Sequence, residues 1–284
     1  MYLSDHGIGR LLALAIEAAI GGGREIMAVY QKVDVGIRIK DDQSPVTEAD
    51  MRSHHLIVDK LQQTGIPVLS EEGVEIPFTE RSGWQSLWVV DPLDGTKEFI
   101  KRNGEFTVNI ALVENQQPML GIIFVPVKGW LYIGYGQTAR KYICSDWLHH
   151  SDGAFLKHAS YEVLPCQKDV PLTAVASISH PNRETMDYIE GVCERMGSVE
   201  IRSVGSSLKF CLLAEGGAHL YPRFGRIMEW DTAAGQAILE ATGGEVLTIP
   251  DMEPMQYNRE DLRNPFFIAL GAGVDRELLS LIKM

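Results

Sequence analysis

The spacing of apolar positions changes several times along this chain, and each change predicts an element. The apolar run from Leu11 to Ile20 reads as the buried stripe of an amphipathic helix that starts near Ser4 or Asp5. Gly21-Gly22-Gly23 follows it. Each glycine costs about 1 kcal/mol against alanine inside a helix, so the run marks either a close packing or a break. Val33 to Lys40 alternates as a strand does, and Lys40 to Pro45 is a polar loop. Thr47 caps a second helix, with Glu48, Ala49 and Asp50 in its first turn, that runs to about Gln63 and breaks at Gly65-Ile66-Pro67. Val68-Leu69 is a short buried strand ending at Ser70-Glu71-Glu72-Gly73, and the polar stretch Val74 to Ser86 is a loop. Leu87 to Val90 is an unbroken run of residues that suit a buried strand, and Pro92, which has no N–H to give a ladder, should stop it.

Strands are then expected at Phe106–Val113, Met119–Val125 and Trp130–Tyr135, with a turn at Asn115–Pro118. They imply a mostly antiparallel sheet with helices on one side. Cys144 to Lys168 is polar and irregular and divides an N-terminal α+β domain, 1–160, from a C-terminal α/β domain, 161–284. In the second half strands and helices alternate: strand Leu172–Ile178, helix Glu184–Met196, strand Val199–Arg202, helix Leu208–Glu215, strand Ala218–Tyr221, and a helix opened by Asp231 and closed by Gly243-Gly244.

Length and charge narrow the function. A chain of 284 residues is long for one core, so two subdomains or one large layered domain is expected. The formal net charge of -12 argues against a nucleic-acid polymer as partner, which needs a basic footprint. It leaves room for a nucleotide-sized ligand, because a few local cations reverse the field inside a pocket. Cys144, Cys166, Cys193 and Cys211 show no C-x-x-C spacing and read as reduced thiols. No signal peptide is evident, and Leu11–Ile20, which contains Glu17 and is followed by Arg24 and Glu25, is too short to span a bilayer.

The candidate chemistry sits where apolar runs end. Asp91 and Asp94 lie three apart across Pro92-Leu93, followed by Gly95, which permits a sharp turn, and Thr96, which starts a helix. This delivers two carboxylates beside the free N–H groups of a helix start. Carboxylate oxygens are what Mg2+ takes, and a helix N-terminus suits phosphate. An isolated D-x-x-D-G is more often an ordinary turn. Asp50, Glu71 and Asp231 share the setting, and each alone reads as a cap or a solvated charge. The repetition of carboxylates at the ends of apolar segments is what points to a ligand site.

Four motifs in order carry a resemblance: D-x-S-P-V-T-x-A-D at Asp42–Asp50, L-S-E-E at Leu69–Glu72, D-P-L-D-G-T-K-E-F at Asp91–Phe99, and W-D-x-A-A-G at Trp230–Gly235. Over about residues 10 to 270 the chain resembles the lithium-sensitive, Mg2+-dependent phosphomonoesterases that include inositol monophosphatase and fructose bisphosphatase. K-R-N-G-E-F-T-V-N-I-A-L at Lys101–Leu112 and G-S-S-L-K-F at Gly205–Phe210 are similar to one branch, the bacterial CysQ-type 3'(2'),5'-bisphosphate nucleotidases.

The resemblance implies a layered αβαβα sandwich of the inositol monophosphatase and fructose bisphosphatase type. It implies one Mg2+ held by Glu71, Asp91 and the Leu93 carbonyl, a second held by Asp91, Asp94 and Asp231, and a third held more weakly. An activated water would be oriented by Glu71 and Thr96, with Asp50 behind Thr96, and the Gly95 and Thr96 N–H groups would hold the scissile phosphate. His180, Ser206, Lys209 and Arg223, in S-I-S-H, G-S-S-L-K and Y-P-R-F, carry over as nucleotide contacts, with Asp231 also facing substrate. For Lys209 and Arg223 the plain alternative is a solvated surface cation, and for His180 a loop residue beside Pro181. His54-His55 and His149-His150 read as surface histidines. The implied enzyme is a cytoplasmic monomer or homodimer, with a peripheral place at the cytoplasmic face of the inner membrane as a variant. It would remove the 3'-phosphate of adenosine 3',5'-bisphosphate, with 3'-phosphoadenylyl sulfate as second substrate. An inositol-phosphate or sugar-phosphate phosphatase with the same metal core is the alternative.

Overall fold

A computed structural model describes residues 5–32, 36, 38–39, 45–149, 156, 159–166, 170–177 and 182–281. The first half runs α1 (Asp5–Tyr30), β1 (Arg38–Ile39), β2 (Pro45–Val46), α2 (Glu48–Gln62), β3 (Val68–Ser70), α3 (Phe78–Arg81), β4 (Ser86–Asp94), α4 (Thr96–Ile100), β5 (Thr107–Glu114), β6 (Gln117–Val125), β7 (Trp130–Tyr135), β8 (Thr138–Ile143) and β9 (Ser160–Leu164). The second runs β10 (Thr173–Ser177), α5 (Arg183–Met196), β11 (Glu200–Val204), α6 (Leu208–Ala214), β12 (Leu220–Arg223), α7 (Ala233–Ala241), β13 (Glu245–Thr248) and β14 (Phe267–Leu270).

Strands β3 to β9 form one seven-stranded sheet in chain order, antiparallel except for the parallel pair β3–β4. The second sheet has the order β11-β10-β12-β14-β13. Alternation along the first sheet splits its side chains between two cores. Trp88, Val90, Ile110, Leu112, Ile122 and Phe124 pack with α1 and α2, whereas Leu87, Val89, Ala111, Val113 and Ile123 pack with α6 and α7. Helices therefore cover both faces of this sheet, not the one face expected. The second sheet lies on the far side of α6 and α7, contributing Val175, Tyr221, Phe267 and Ala269, and its other face meets Tyr188, Ile189 and Val192 of α5. The result is the αβαβα sandwich.

Glycine decides two of these contacts by close approach. Helix α1 runs unbroken through Gly21–Gly23, because Cβ atoms there would collide with Leu56 and Ile57 of α2 and Phe124 of β6. The run is a packing seam rather than a break. Gly121 and Gly134 do the same for α7, whose backbone at Ala234 and Ile238 occupies the space a side chain would need.

The structure corrects several local expectations. Pro92 does not end its strand; β4 continues to Asp94 with a register shift between Asp91 and Asp94, which is how a residue without an N–H is accommodated. The loop read over Val74–Ser86 contains α3, and the irregular segment Cys144–Lys168 contains β9, the outermost strand of the first sheet. Strands β8, β13 and β14 lay in stretches for which no element was expected. Of the strand expected at Val33–Lys40, Arg38–Ile39 forms a strand paired with β2 and Gly36 does not; residues 33–35, 37 and 40 lie outside the described residues. His54 is buried, with Nδ1 2.9 Å from Ser70 Oγ, and is not a surface histidine. His149 is exposed as expected, and 150 lies outside the described residues.

Candidate active site

The end of β4 builds the floor of the site. The Leu93 N–H donates to Asp91 Oδ1 at 3.0 Å, closing a turn around Pro92 that brings Asp91 and Asp94 to one place. Glu71 follows β3 directly, and its N–H donates to the Val90 carbonyl, so the parallel pairing sets Glu71 beside β4. Asp231 closes a 3-10 turn, Glu229–Asp231, ahead of α7, and its Oδ2 accepts from the Met228 N–H at 2.8 Å. Oxygens of Glu71, Asp91 and Asp231 all lie within 4.8 Å of one another. Asp94 faces the same cavity, but its Oδ2 accepts from Ser207 Oγ at 2.9 Å and from Asn109 Nδ2 at 3.3 Å, outside that tight trio.

The electrostatics of this cluster are those of buried, crowded like charges. Burial raises the Asp91 carboxyl well above the usual carboxylate range, and the charges of Glu71, Asp94 and Asp231 raise it further. Asp231 is pushed up to about 8, by burial first and then by Asp94 and Glu71. Like carboxylates gathered in a buried site cannot all ionise without a compensating charge. The donor set is all hard oxygen, which suits a divalent cation such as Mg2+, and its crowding fits one.

Asp50 lies behind this floor. Its Oδ2 accepts from the Thr47 N–H at 2.7 Å and the Thr47 hydroxyl at 2.5 Å, while Oδ1 accepts from the Thr96 hydroxyl at 3.0 Å. Gly95 precedes α4 at φ 92, a left-handed conformation that glycine adopts freely.

The opposite wall is cationic and comes from the second half. Lys209, in the first turn of α6, is buried, and Nζ donates to the Ser206 carbonyl at 2.6 Å. Burial lowers its pKa to about 8, with Asp94 opposing. Arg223, at the end of β12, is also buried and donates from Nη2 to the Arg226 carbonyl. Neither is a solvated surface cation. Glu71, Asp91, Leu93, Asp94, Gly95, Thr96, Ser206, Lys209, Arg223 and Asp231 thus all border one cavity of about 260 Å³. His180 lies outside the described residues, as do 42–44 of the first motif.

Residues that sequence reasoning passed over complete the site. Ser207 and Asn109 orient Asp94, and the Thr107 hydroxyl donates to Asn109 Oδ1. Thr107 and Asn109 are polar positions in an otherwise apolar strand, which was the available signal. Glu229 is fully buried and accepts from the N–H groups of Asn258, at 2.6 Å, and Arg259, at 3.0 Å. It anchors the turn carrying Asp231 from behind.

A model of the inositol monophosphatase family matches residues 9–267. The chain is 41% identical over 264 residues to the 3'(2'),5'-bisphosphate nucleotidase CysQ of Shigella flexneri, covering 90% of this chain and 98% of that one. It is 33% identical to the protein of the same name from Haemophilus influenzae over 273 residues, 95% and 94% of the two chains. Among solved structures, CysQ from Bacteroides thetaiotaomicron superposes with a TM-score of 0.83 at 46% identity, covering 93% of this chain and 97% of that one. An inositol monophosphatase from Thermotoga maritima, 21% identical, shares the fold with a TM-score of 0.71 over 95% of each chain.

Proposed function

The chain belongs to the inositol monophosphatase family, and from that premise we propose that it is a Mg2+-dependent 3'(2'),5'-bisphosphate nucleotidase that hydrolyses adenosine 3',5'-bisphosphate to AMP and inorganic phosphate. The observation that carries the reading is one cavity with two unlike walls: the carboxylates Glu71, Asp91, Asp94 and Asp231 against the buried cations Lys209 and Arg223. A single phosphate needs the first wall; a second phosphate on the same substrate needs the other. The names of the relatives at 33% to 46% identity support the same substrate class.

Glu71, Asp91, the Leu93 carbonyl, Asp94 and Asp231 would hold two Mg2+ ions, and a weaker third belongs to the proposal. When bound, the ions supply Lewis-acid charge at the reacting phosphate and lower the pKa of water. Everything else is done by the chain. The Thr96 hydroxyl donates to Asp50 Oδ1, so its lone pairs are left to accept a hydrogen bond from the attacking water, whose proton passes through this hydroxyl to the Asp50 carboxylate. Glu71 orients that water. The Gly95 and Thr96 N–H groups grip the scissile phosphate. The water oxygen bonds to phosphorus as the P–O3' bond breaks, and the ribose oxygen leaves as a hydroxyl after taking up a proton from solvent water. Ser206, Lys209, Arg223 and His180 bind the nucleotide.

3'-Phosphoadenylyl sulfate presents the same 3'-phosphate and is the second proposed substrate. Lithium inhibition and a cytoplasmic setting belong to the proposal as well. Among the described residues no helix is long and apolar enough to cross a membrane. Phosphate release from adenosine 3',5'-bisphosphate and from inositol 1-phosphate, with Mg2+ and with chelator, tests the reading. Mg2+-dependent preference for the bisphosphate is expected; preference for inositol 1-phosphate overturns the nucleotide assignment in favour of the sugar-phosphate alternative.

A further inference from the structure

Three polar atoms of residues that line the cavity are buried without a hydrogen-bond partner among the described residues: Ser206 Oγ, Arg223 Nε and the Tyr221 hydroxyl. Unpaired buried polar atoms are rare in a native fold, and each one needs a reason. Ser206 and Arg223 have one in the proposed nucleotide. Tyr221 has none so far.

The Tyr221 side chain is held in a fixed position. It is 1% exposed, and its ring meets Phe210 of α6 and Phe267 of β14 edge-on, each with centroids 5.4 Å apart. The Lys209 ammonium sits 5.6 Å from the ring centre. Tyr221 and Arg223 are two apart on β12 and so share one face of the second sheet, the face toward α6. The hydroxyl feels the charge of Arg223 and, after it, of Asp94 and Asp231, so it lies at the cationic wall where that wall meets the carboxylates. Burial holds the phenol protonated, so it is a donor at any ordinary pH.

We propose that the Tyr221 hydroxyl donates a hydrogen bond to the non-reacting phosphate of the bisphosphate and, with Lys209 and Arg223, selects substrates that carry one. A neutral donor beside two cations adds direction without adding charge, which helps distinguish a tetrahedral phosphate from a simple anion. The inference rests on the nucleotide reading above.

Tyr221→Phe tests it, because the ring and its packing stay while one atom leaves. The measurement is kcat/KM for adenosine 3',5'-bisphosphate relative to adenosine 3'-monophosphate, in Mg2+, for wild type and variant. A hydrogen bond to a charged group predicts that this preference falls about tenfold or more in the variant. AMP, which keeps only the non-reacting phosphate, should weaken as an inhibitor by a similar factor. An unchanged ratio in Y221F, with both substrates affected alike or not at all, overturns the inference while leaving the nucleotide reading intact. A Y221F protein that melts far below wild type overturns it too, since it would reveal an internal role for the hydroxyl. A wild-type enzyme with no preference for the bisphosphate removes the nucleotide reading, and this inference with it.

Discussion

The Thr96 hydroxyl donates to Asp50 Oδ1 at 3.0 Å, linking the first turn of α2 to the first turn of α4 across 46 residues of chain. Asp50 is doubly occupied on its other oxygen by Thr47, so its direction is set before Thr96 reaches it. A hydroxyl that donates inward can only accept from the cavity side. Thr96→Val keeps the shape and removes the acceptor. It is expected to lower kcat about 100-fold or more with little change in KM, the size typical of one lost proton-transfer partner. Steady-state kinetics on the bisphosphate decide this; a change confined to KM would assign Thr96 to binding alone.

Asp91 is the most buried member of the carboxylate cluster. Asp91→Asn keeps its volume but removes a charge that a cation requires. Turnover should fall by about three orders of magnitude or more, while the melting temperature of the metal-free protein rises, because an amide removes the cost of keeping a carboxyl protonated against burial first and like charges second. Calorimetry in chelator and an assay in Mg2+ read the two effects separately.

The raised carboxyls also fix the sign of a pH effect. Asp231 goes from an ordinary value of 3.8 to about 8 in the folded chain. Between those values the folded state keeps a proton that the unfolded state has released, so folding is favoured at the acid end and that contribution is lost as pH rises through about 8. Asp91 moves in the same direction. The metal-free protein should therefore melt at lower temperature as pH goes from about 5 to about 8. Saturating Mg2+ should flatten or reverse the slope, and Asp231→Asn should make it shallower without Mg2+, leaving the shares of Asp91 and of buried Glu229, which is pushed up to about 7. A melting temperature that climbs over this range in chelator contradicts the assignment.

Lys209 touches the Ser206 carbonyl and lies where a second phosphate is proposed. Lys209→Ala should raise KM for adenosine 3',5'-bisphosphate about tenfold or more, and by much less for a simple monophosphate, as loss of a charged hydrogen bond predicts. Equal effects on both substrates would take Lys209 out of substrate binding.

The glycine seam offers a control away from the chemistry. Alanine usually improves a helix, yet a Cβ at Gly23 would press on the Phe124 ring at 2.5 Å. Gly23→Ala should destabilise the fold by about 1–3 kcal/mol in denaturant titration, as overpacking does, and leave kcat/KM at its wild-type value. A stabilised variant would show that the two helices part easily.

The acidic half of the site was legible in the sequence because its residues follow apolar runs: Glu71 after Val68-Leu69, Asp91 and Asp94 after Leu87–Val90. Local pattern locates such strand ends well. It does not tell which face of a sheet receives helices, and so the cover on both faces was missed. Pro92 misled for a related reason: the rule about missing N–H groups holds for a regular ladder, and β4 is irregular there. Ser207, Asn109 and Tyr221 stayed hidden because each matters through a contact distant in sequence; Ser207 reaches Asp94 across 113 positions. Strands β8, β13 and β14 are short and flanked by turns, so their periodicity says little.

Glu229 never meets the cavity, yet it clasps the backbone of Asn258 and Arg259, and Asn258 in turn grips Arg81. Damage at any of these outlying positions would therefore surface as a sick enzyme whose catalytic groups are all still present. Screens that look for lost activity should turn up lesions at Arg81 or Asn258, buried residues that touch no catalytic group.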